Sequence, residues 1–201
     1  MSKRYAAAVC AAIGLLAGGL RAPAVAADAA AQAQACDACH GGDGLPISAT
    51  IPIIWGQQSS YLYKELHDFH SGDRKSPIMA PLVHDISLDD LRTLANYFAA
   101  KAWPTSNTAP AGRVAGPSSG DATPPPAEIA DKIEMCKACH QPNFTGGDPG
   151  PRLAGLSAEY LASQMHAFAD GTRTNNLDMP GFMRALTVSD REAIAKYLSG
   201  L

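Results

Sequence analysis

A five-residue pattern occurs twice in the sequence, as Cys36-Asp37-Ala38-Cys39-His40 and as Cys136-Lys137-Ala138-Cys139-His140. Two cysteines at this short spacing, in helical conformation, present both thiols to one edge of a bound group. Such thiols can add to the two vinyl groups of a haem, and the histidine can then reach the iron. The pattern therefore predicts two covalently attached haem c groups. The predicted attachment residues are Cys36, Cys39, Cys136 and Cys139, and the predicted iron ligands from the same motifs are His40 and His140.

Two other interpretations of the cysteine pairs are a redox-active disulfide and one half of a zinc site. A thioredoxin-like disulfide motif is expected in a βαβ context, and no such pattern surrounds either motif. A zinc site would join the two pairs across the middle of the chain and would leave their matching surroundings unexplained. Attachment of haem accounts for both the adjacent histidine and the duplication.

The surroundings of the two motifs also repeat, at a spacing of 99 or 100 positions. The recurring residues of the first half are Pro52, Gly56, Tyr61, Leu62, Phe69, Gly72, Arg74, Met79, Asp90, Ala95 and Tyr97. Their matches are Pro151, Gly155, Tyr160, Leu161, Phe168, Gly171, Arg173, Met179, Asp190, Ala195 and Tyr197. Each copy is too small to be stable without a group in its core. We predict one domain over residues 28–103 and a second over residues 127–201.

Residues 104–126 separate the two copies and predict a linker. The segment contains six prolines with several Gly, Ser, Thr and Ala residues, and it has neither a helical nor a strand period. Such a composition is typical of a semi-extended, solvated connection.

Each copy has the patterns of an all-α fold. Apolar side chains in residues 57–69 recur every three or four positions, and Gly72 follows as a C-cap. The segments that begin at Ser87 and Thr187 resemble capping boxes in which Asp replaces the usual Glu. Alternation with a period of two is nearly absent, so we expect tandem helical domains.

The N-terminus has the features of a secretory signal peptide. Lys3 and Arg4 precede an apolar run over residues 6–20, and small residues follow at 24–27. The run is shorter than the roughly 20 residues that a membrane span needs. We predict a cleaved signal over residues 1–27 and a periplasmic location, with an uncleaved anchor as the alternative. A peripheral association with the membrane is a further expectation.

The charge of the exported chain argues against nucleic acid as a partner. Once Lys3, Arg4 and Arg21 are removed, 13 basic residues remain against 19 acidic ones, a net charge of −6. No basic stripe is left along the chain.

A low-spin haem that transfers electrons needs a second axial ligand, for which Met79 and Met179 are the candidates. They hold equivalent places in the repeat, before a capped helix, and thioether ligation raises the reduction potential. Met183 lies close to Met179 and is a rival for the second iron. His67 and His166 are also repeat-equivalent, so a bis-histidine haem is the alternative.

Other repeated residues have expected roles around the haem. The carbonyl oxygen of Pro52 or Pro151 could accept a hydrogen bond from the proximal histidine and fix its tautomer. Packing on the haem, or binding of its propionates, is an expectation for Trp55, Tyr61, Tyr160, Arg74 and Arg173.

These residues together resemble the dihaem cytochrome c4 family. The first copy carries Cys-Asp-Ala-Cys-His-Gly-Gly-Asp-Gly, then Trp55-Gly56-Gln57 and Pro77-Ile78-Met79-Ala80. The second copy carries Pro151-Arg152-Leu153-Ala154-Gly155 and ends in Tyr197-Leu198-Ser199-Gly200-Leu201. Two departures are a longer linker and the sequence Asp178-Met179-Pro180-Gly181-Phe182-Met183, which is closer to other class I cytochromes.

The resemblance implies two class I cytochrome c domains, His/Met ligation at both irons and a periplasmic electron carrier. The expected partners are a terminal oxidase, a quinol-oxidising complex or a periplasmic dehydrogenase. Electron transfer towards a terminal oxidase is the first expectation. The alternative is a tightly bound electron-accepting subunit of a dehydrogenase, for example of the sulfide flavocytochrome type.

A dihaem enzyme is the competing class of function. A thiosulfate-oxidising cytochrome of this type would need a cysteine as an iron ligand. After removal of the signal, no cysteine remains outside the two motifs. A dihaem peroxidase would need an open or bis-histidine haem in a longer chain. We therefore expect an electron carrier without substrate chemistry of its own.

Overall fold

A computed structural model describes residues 24–105 and 124–201, with side chains from residue 29. These residues contain eight α-helices and no β-strand, which confirms the all-α prediction. The helices are α1 (Ala24–His40), α2 (Ser59–Ser71), α3 (Met79–Val83), α4 (Leu88–Ala99), α5 (Ala127–His140), α6 (Ala158–Asp170), α7 (Met179–Arg184) and α8 (Val188–Ser199). Within this part of the chain, no helix combines the length and apolar character needed to cross a membrane.

Two sequence predictions fall largely outside the described residues. The predicted signal peptide 1–27 does so except at its end, where α1 begins at Ala24. The predicted linker 104–126 is described only at its two ends, up to residue 105 and from residue 124.

The two repeats have the same internal packing. In the first repeat α4 contacts both α1 and α2, and the short α3 packs on α2. In the second repeat α8 contacts both α5 and α6, and α7 packs on α6. The helix that ends in the Cys-x-x-Cys-His motif is therefore held by the last helix of its own repeat in both cases.

The predicted helix ends are confirmed by their caps. Gly72 ends α2 in the left-handed region at φ 86°, a conformation that glycine adopts without a steric penalty. The Ser87 hydroxyl accepts from the Asp90 backbone N–H at 3.1 Å at the start of α4. At the start of α8, Thr187 and Asp190 form a reciprocal capping box. The α2 helix begins two residues later than the predicted segment 57–69, because Gln58 has extended backbone and serves as the N-cap.

Each repeat buries its own apolar side chains. The first core includes Ala33, Leu62, Leu94, Ala95 and Phe98, and the second includes Ile129, Ile133, Phe144, Ile194 and Leu198. Each large apolar side chain buried in this way contributes roughly 1.5–3 kcal/mol relative to an exposed one.

The repeats also pack against each other, because Ile53 of the first repeat is 5% exposed and belongs to the core of the second. Polar side chains also form hydrogen bonds across this contact. Arg173 donates to Glu65 Oε1 at 2.7 Å, and Arg74 donates to Gln164 Oε1 at 2.7 Å. Arg74 and Arg173 are repeat-equivalent, and so are Glu65 and Gln164, so these two bonds are related by the pseudo-symmetry of the repeat.

Candidate haem sites

The first site is built around His40, the last residue of α1, which is 7% exposed. Its Nδ1 lies 2.8 Å from the Pro52 carbonyl oxygen. A carbonyl oxygen can only accept, so Nδ1 carries the proton and Nε2 keeps its lone pair. Burial lowers the pKa of His40, and the Pro52 carbonyl offsets part of that effect. The ring is therefore neutral, as a metal ligand must be.

The second site repeats this arrangement around His140 at the end of α5. Its Nδ1 is also 2.8 Å from a proline carbonyl oxygen, that of Pro151. Burial lowers the pKa of His140 as well, and the Pro151 carbonyl acts in the opposite direction. The prediction that these two prolines accept from the motif histidines is confirmed.

The four motif cysteines lie in the last turn of α1 and α5, and they form no disulfide in the structure. Burial raises the pKa of Cys36 and of Cys136 to about 11. Reactive redox cysteines have a lowered pKa instead, so this environment is unlike that of a thioredoxin-type disulfide.

Met79 and Met179 occupy matching positions at the first residue of α3 and of α7. The Met79 backbone N–H donates to the Ser76 hydroxyl at 3.0 Å. The Met179 backbone N–H donates to Asn176 Oδ1 at 2.8 Å. Residues 76 and 176 thus anchor the two methionines in the same way, although their side chains differ.

Three side chains are rivals of these methionines as iron ligands. Met183 is 3% exposed and belongs to the second core, where its repeat counterpart in the first domain is the buried Val83. His166 Nδ1 accepts from Arg191 Nε at 3.1 Å, and His67 faces Asp68 at 3.6 Å. Neither histidine lines the cavity that the four motif cysteines border, whereas Met183 does.

That cavity has a volume of about 1200 Å³ and extends across both repeats. Its apolar lining includes Leu62, Phe69, Phe98, Leu161, Phe168 and Leu198. The same cavity is bordered by His40, Met79, His140 and Met179. An apolar space bordered by thiols, neutral imidazoles and thioethers fits a haem in each repeat. The thiols can add to the haem vinyl groups, and the imidazoles and thioethers are ligands that haem iron binds.

Four side chains with expected haem contacts, Tyr61, Tyr160, Arg74 and Arg173, border the cavity and also lie near the contact between the repeats. Arg74 and Arg173 each pair with Glu65, and Arg173 also donates to the Tyr61 hydroxyl at 3.4 Å. Burial, and the neighbouring Tyr160, raise the pKa of Tyr61. Sequence reasoning did not single out Glu65 or its counterpart Gln164. The available signal was that the two repeats differ there, with a carboxylate in one and an amide in the other.

Two all-α repeats with a Cys-x-x-Cys-His helix end in each define the class as a dihaem c-type cytochrome. The family model for cytochrome c matches residues 127–201. The chain is 36% identical over 176 residues to cytochrome c4 of Pseudomonas aeruginosa, a match that covers 85% of this chain and 86% of that protein. It is 34% identical to a thiosulfate dehydrogenase electron acceptor of Stutzerimonas stutzeri, over 84% of this chain and 80% of that protein.

A solved structure supports the same relationship. The crystal structure of reduced recombinant cytochrome c4 from Pseudomonas stutzeri superimposes with a TM-score of 0.70 at 30% identity. That match covers 88% of this chain and 98% of the crystallised one. The chain belongs to the cytochrome c4 family.

Proposed function

We propose that this chain is a periplasmic electron carrier whose two haems are ligated by His40 with Met79 and by His140 with Met179. Cys36 and Cys39 attach the first haem, and Cys136 and Cys139 attach the second. Each haem supplies one-electron chemistry, as its iron alternates between the ferric and ferrous states. The domains that hold them span residues 28–103 and 127–201, joined by the linker 104–126 after a signal peptide of residues 1–27.

The single observation that carries this proposal is the shared cavity. His40 and His140 border it from different repeats, as do the cysteines of both motifs. Because electron transfer rates fall with distance through protein, two groups bound in one continuous space favour exchange between them. The chain's own residues exclude water there with apolar side chains and hold both imidazoles in one tautomer.

The choice of Met179 over Met183 rests on the comparison of the two repeats. Both methionines border the cavity, but only Met179 begins a helix and has a methionine, Met79, at the equivalent position of the first repeat. Met183 replaces Val83, and valine cannot bind iron. A core role for position 183 is therefore possible in both repeats. A ligand role for Met183 would require the two repeats to bind iron from different positions.

We propose that electrons leave this carrier towards a terminal oxidase. The test is to mix the reduced holoprotein with membranes that contain the oxidases of the same cell and to follow reoxidation of both haems. Complete reoxidation that is sensitive to cyanide supports this direction. Reoxidation no faster than in buffer with oxygen alone would contradict it.

A second candidate partner is a periplasmic dehydrogenase, which the similarity to a thiosulfate dehydrogenase electron acceptor favours. The experiment mixes oxidised holoprotein with a thiosulfate dehydrogenase and thiosulfate. Reduction of both haems at a rate that saturates with carrier concentration supports an acceptor role. Copurification of the two proteins at high salt would identify a bound subunit, and elution as separate proteins would identify a mobile carrier.

A further inference from the structure

One side chain of the first repeat is hydrogen-bonded to the backbone beside the second haem ligand. Gln57 is 3% exposed, and its Nε2 donates to the Arg152 carbonyl oxygen at 3.0 Å. The Arg152 backbone N–H donates in turn to Gln57 Oε1 at 2.9 Å. Gln57 therefore pairs with both backbone polar groups of a residue that lies 95 positions further along the chain.

The Arg152 N–H and the Pro151 carbonyl belong to the same peptide unit, which is planar and delocalised. The carbonyl end of this unit accepts from His140 Nδ1 at 2.8 Å. The N–H end donates to Gln57 at 2.9 Å. A chain of two hydrogen bonds through one peptide thus connects Gln57 with the imidazole of His140.

Hydrogen bonds in such a chain polarise one another. When Gln57 accepts from the Arg152 N–H, the Pro151 oxygen becomes more negative and a stronger acceptor. A stronger hydrogen bond from Nδ1–H makes the imidazole a more basic ligand, which favours ferric over ferrous iron.

The first repeat lacks this connection. The corresponding peptide unit joins Pro52 and Ile53, and its carbonyl accepts from His40. Among the residues that the structure describes, the Ile53 N–H has no hydrogen-bond partner. The repeat counterpart of Gln57 is Leu156, which is buried at 4% exposure and offers no polar group. The coupling therefore runs in one direction only, from the first domain to the ligand of the second.

We propose that Gln57 is a positioning residue for His140, through which the first domain sets the ligand strength and the reduction potential of the second haem. This inference rests on the proposed role of His140 as an iron ligand. It assigns a function to the contact between the repeats that neither repeat could perform alone.

The test compares the holoproteins of wild type, Gln57→Met, Gln57→Glu and Gln58→Met. Methionine keeps the length of Gln57 but removes both hydrogen bonds to Arg152 and the one that Gln57 Oε1 accepts from the Gln58 N–H. Glutamate keeps an acceptor for the Arg152 N–H. Gln58→Met is the matched control, because the Gln58 side-chain nitrogen lies beside Gly146 of the second repeat and is buried without a hydrogen-bond partner.

The first measurement is the proton NMR resonance of His Nδ1–H in the ferrous protein. In Gln57→Met, the His140 signal should move upfield and exchange faster, while the His40 signal stays in place. The second measurement is a redox titration, with the second haem identified by the large lowering of its potential in Met179→His. At a fixed potential, Gln57→Met should lower the oxidised-to-reduced ratio of that haem by about threefold.

Gln57→Glu should leave this ratio at or above its wild-type value, and Gln58→Met should leave both haems unchanged. Equal shifts at both haems, or none in Gln57→Met, would overturn the proposal. A folded Gln57→Met protein is verified by an unchanged His40 signal. If the His140 ring of the wild-type protein lacks the NMR chemical shifts of a haem ligand, the ligand assignment is wrong and this inference fails with it. That outcome is seen in the wild-type spectrum and is therefore distinguishable from the failures seen in Gln57→Met.

Discussion

Arg173 of the second repeat donates through Nη2 to Glu65 of the first at 2.7 Å, and both side chains are at most about one-tenth exposed. Arg74 approaches the other carboxylate oxygen of Glu65 at 2.5 Å. Two repeat-equivalent cations thus share one anion at the contact between the domains. A buried charge is tolerated only when it is paired and hydrogen-bonded, so this carboxylate is central to the contact.

We expect Glu65→Ala to lower the free energy of unfolding by about 3–5 kcal/mol, because it leaves two buried guanidinium groups without their anion. Glu65→Gln creates the residue found at the equivalent position 164, and we expect a smaller loss of about 1–3 kcal/mol. Denaturant unfolding of the holoprotein measures both. The exposed Glu159→Ala is the control, with a change within about 0.5 kcal/mol. A Glu65→Ala protein as stable as this control would show that the pairing contributes nothing.

The two methionines near the second site should respond differently to truncation. Met179→Ala should remove the near-infrared Met-to-iron band of one haem, as Met79→Ala should for the other. Met183→Ala should keep both bands and lower stability by about 2–5 kcal/mol, because it leaves a cavity in the core. Loss of a band in Met183→Ala, with retention in Met179→Ala, would exchange their roles.

Arg191 is a buried cation, 8% exposed, that bonds neutral acceptors. Its Nη1 donates to the carbonyl oxygens of Met183 at 2.7 Å and Leu186 at 2.5 Å, which fixes the end of α7. We expect Arg191→Ala to cost about 1–3 kcal/mol, because these carbonyls lose their donor. Since α7 begins with Met179, the alkaline transition of the second haem should also fall to lower pH. Arg184→Ala, on the exposed side of the same helix, should change neither quantity.

The start of α8 predicts a pH dependence of stability. A hydrogen bond from Lys132 at 2.5 Å and one from the Thr187 N–H at 3.0 Å lower the pKa of Asp190 to about 2. Because this pKa lies below its ordinary value of 3.8, the carboxylate stabilises the fold above about pH 4. That contribution is lost as the pH falls from about 4 to about 2. Thermal unfolding of wild type and Asp190→Asn at several pH values should show a difference that disappears in this window.

Most of the fold could be predicted from the repeat in the sequence. Its matching positions predicted the helices, the caps at Gly72, Ser87 and Thr187, and the proline carbonyls that accept from His40 and His140. These features depend on residues close together in the chain. The roles of Gln57 and Glu65 could not be predicted in this way, because each depends on how two separate domains meet. The same holds for Arg74 and Arg173, each of which donates a hydrogen bond to a side chain of the other repeat.

The central claim is that each chain holds two haems with one methionine ligand apiece. The most direct measurement is near-infrared magnetic circular dichroism of the oxidised holoprotein at neutral pH, with the haem content of the same sample determined independently. The account predicts two haems per chain and a Met-to-iron band whose intensity corresponds to both. A band that corresponds to one haem or none, or the position characteristic of bis-histidine ligation, would contradict it.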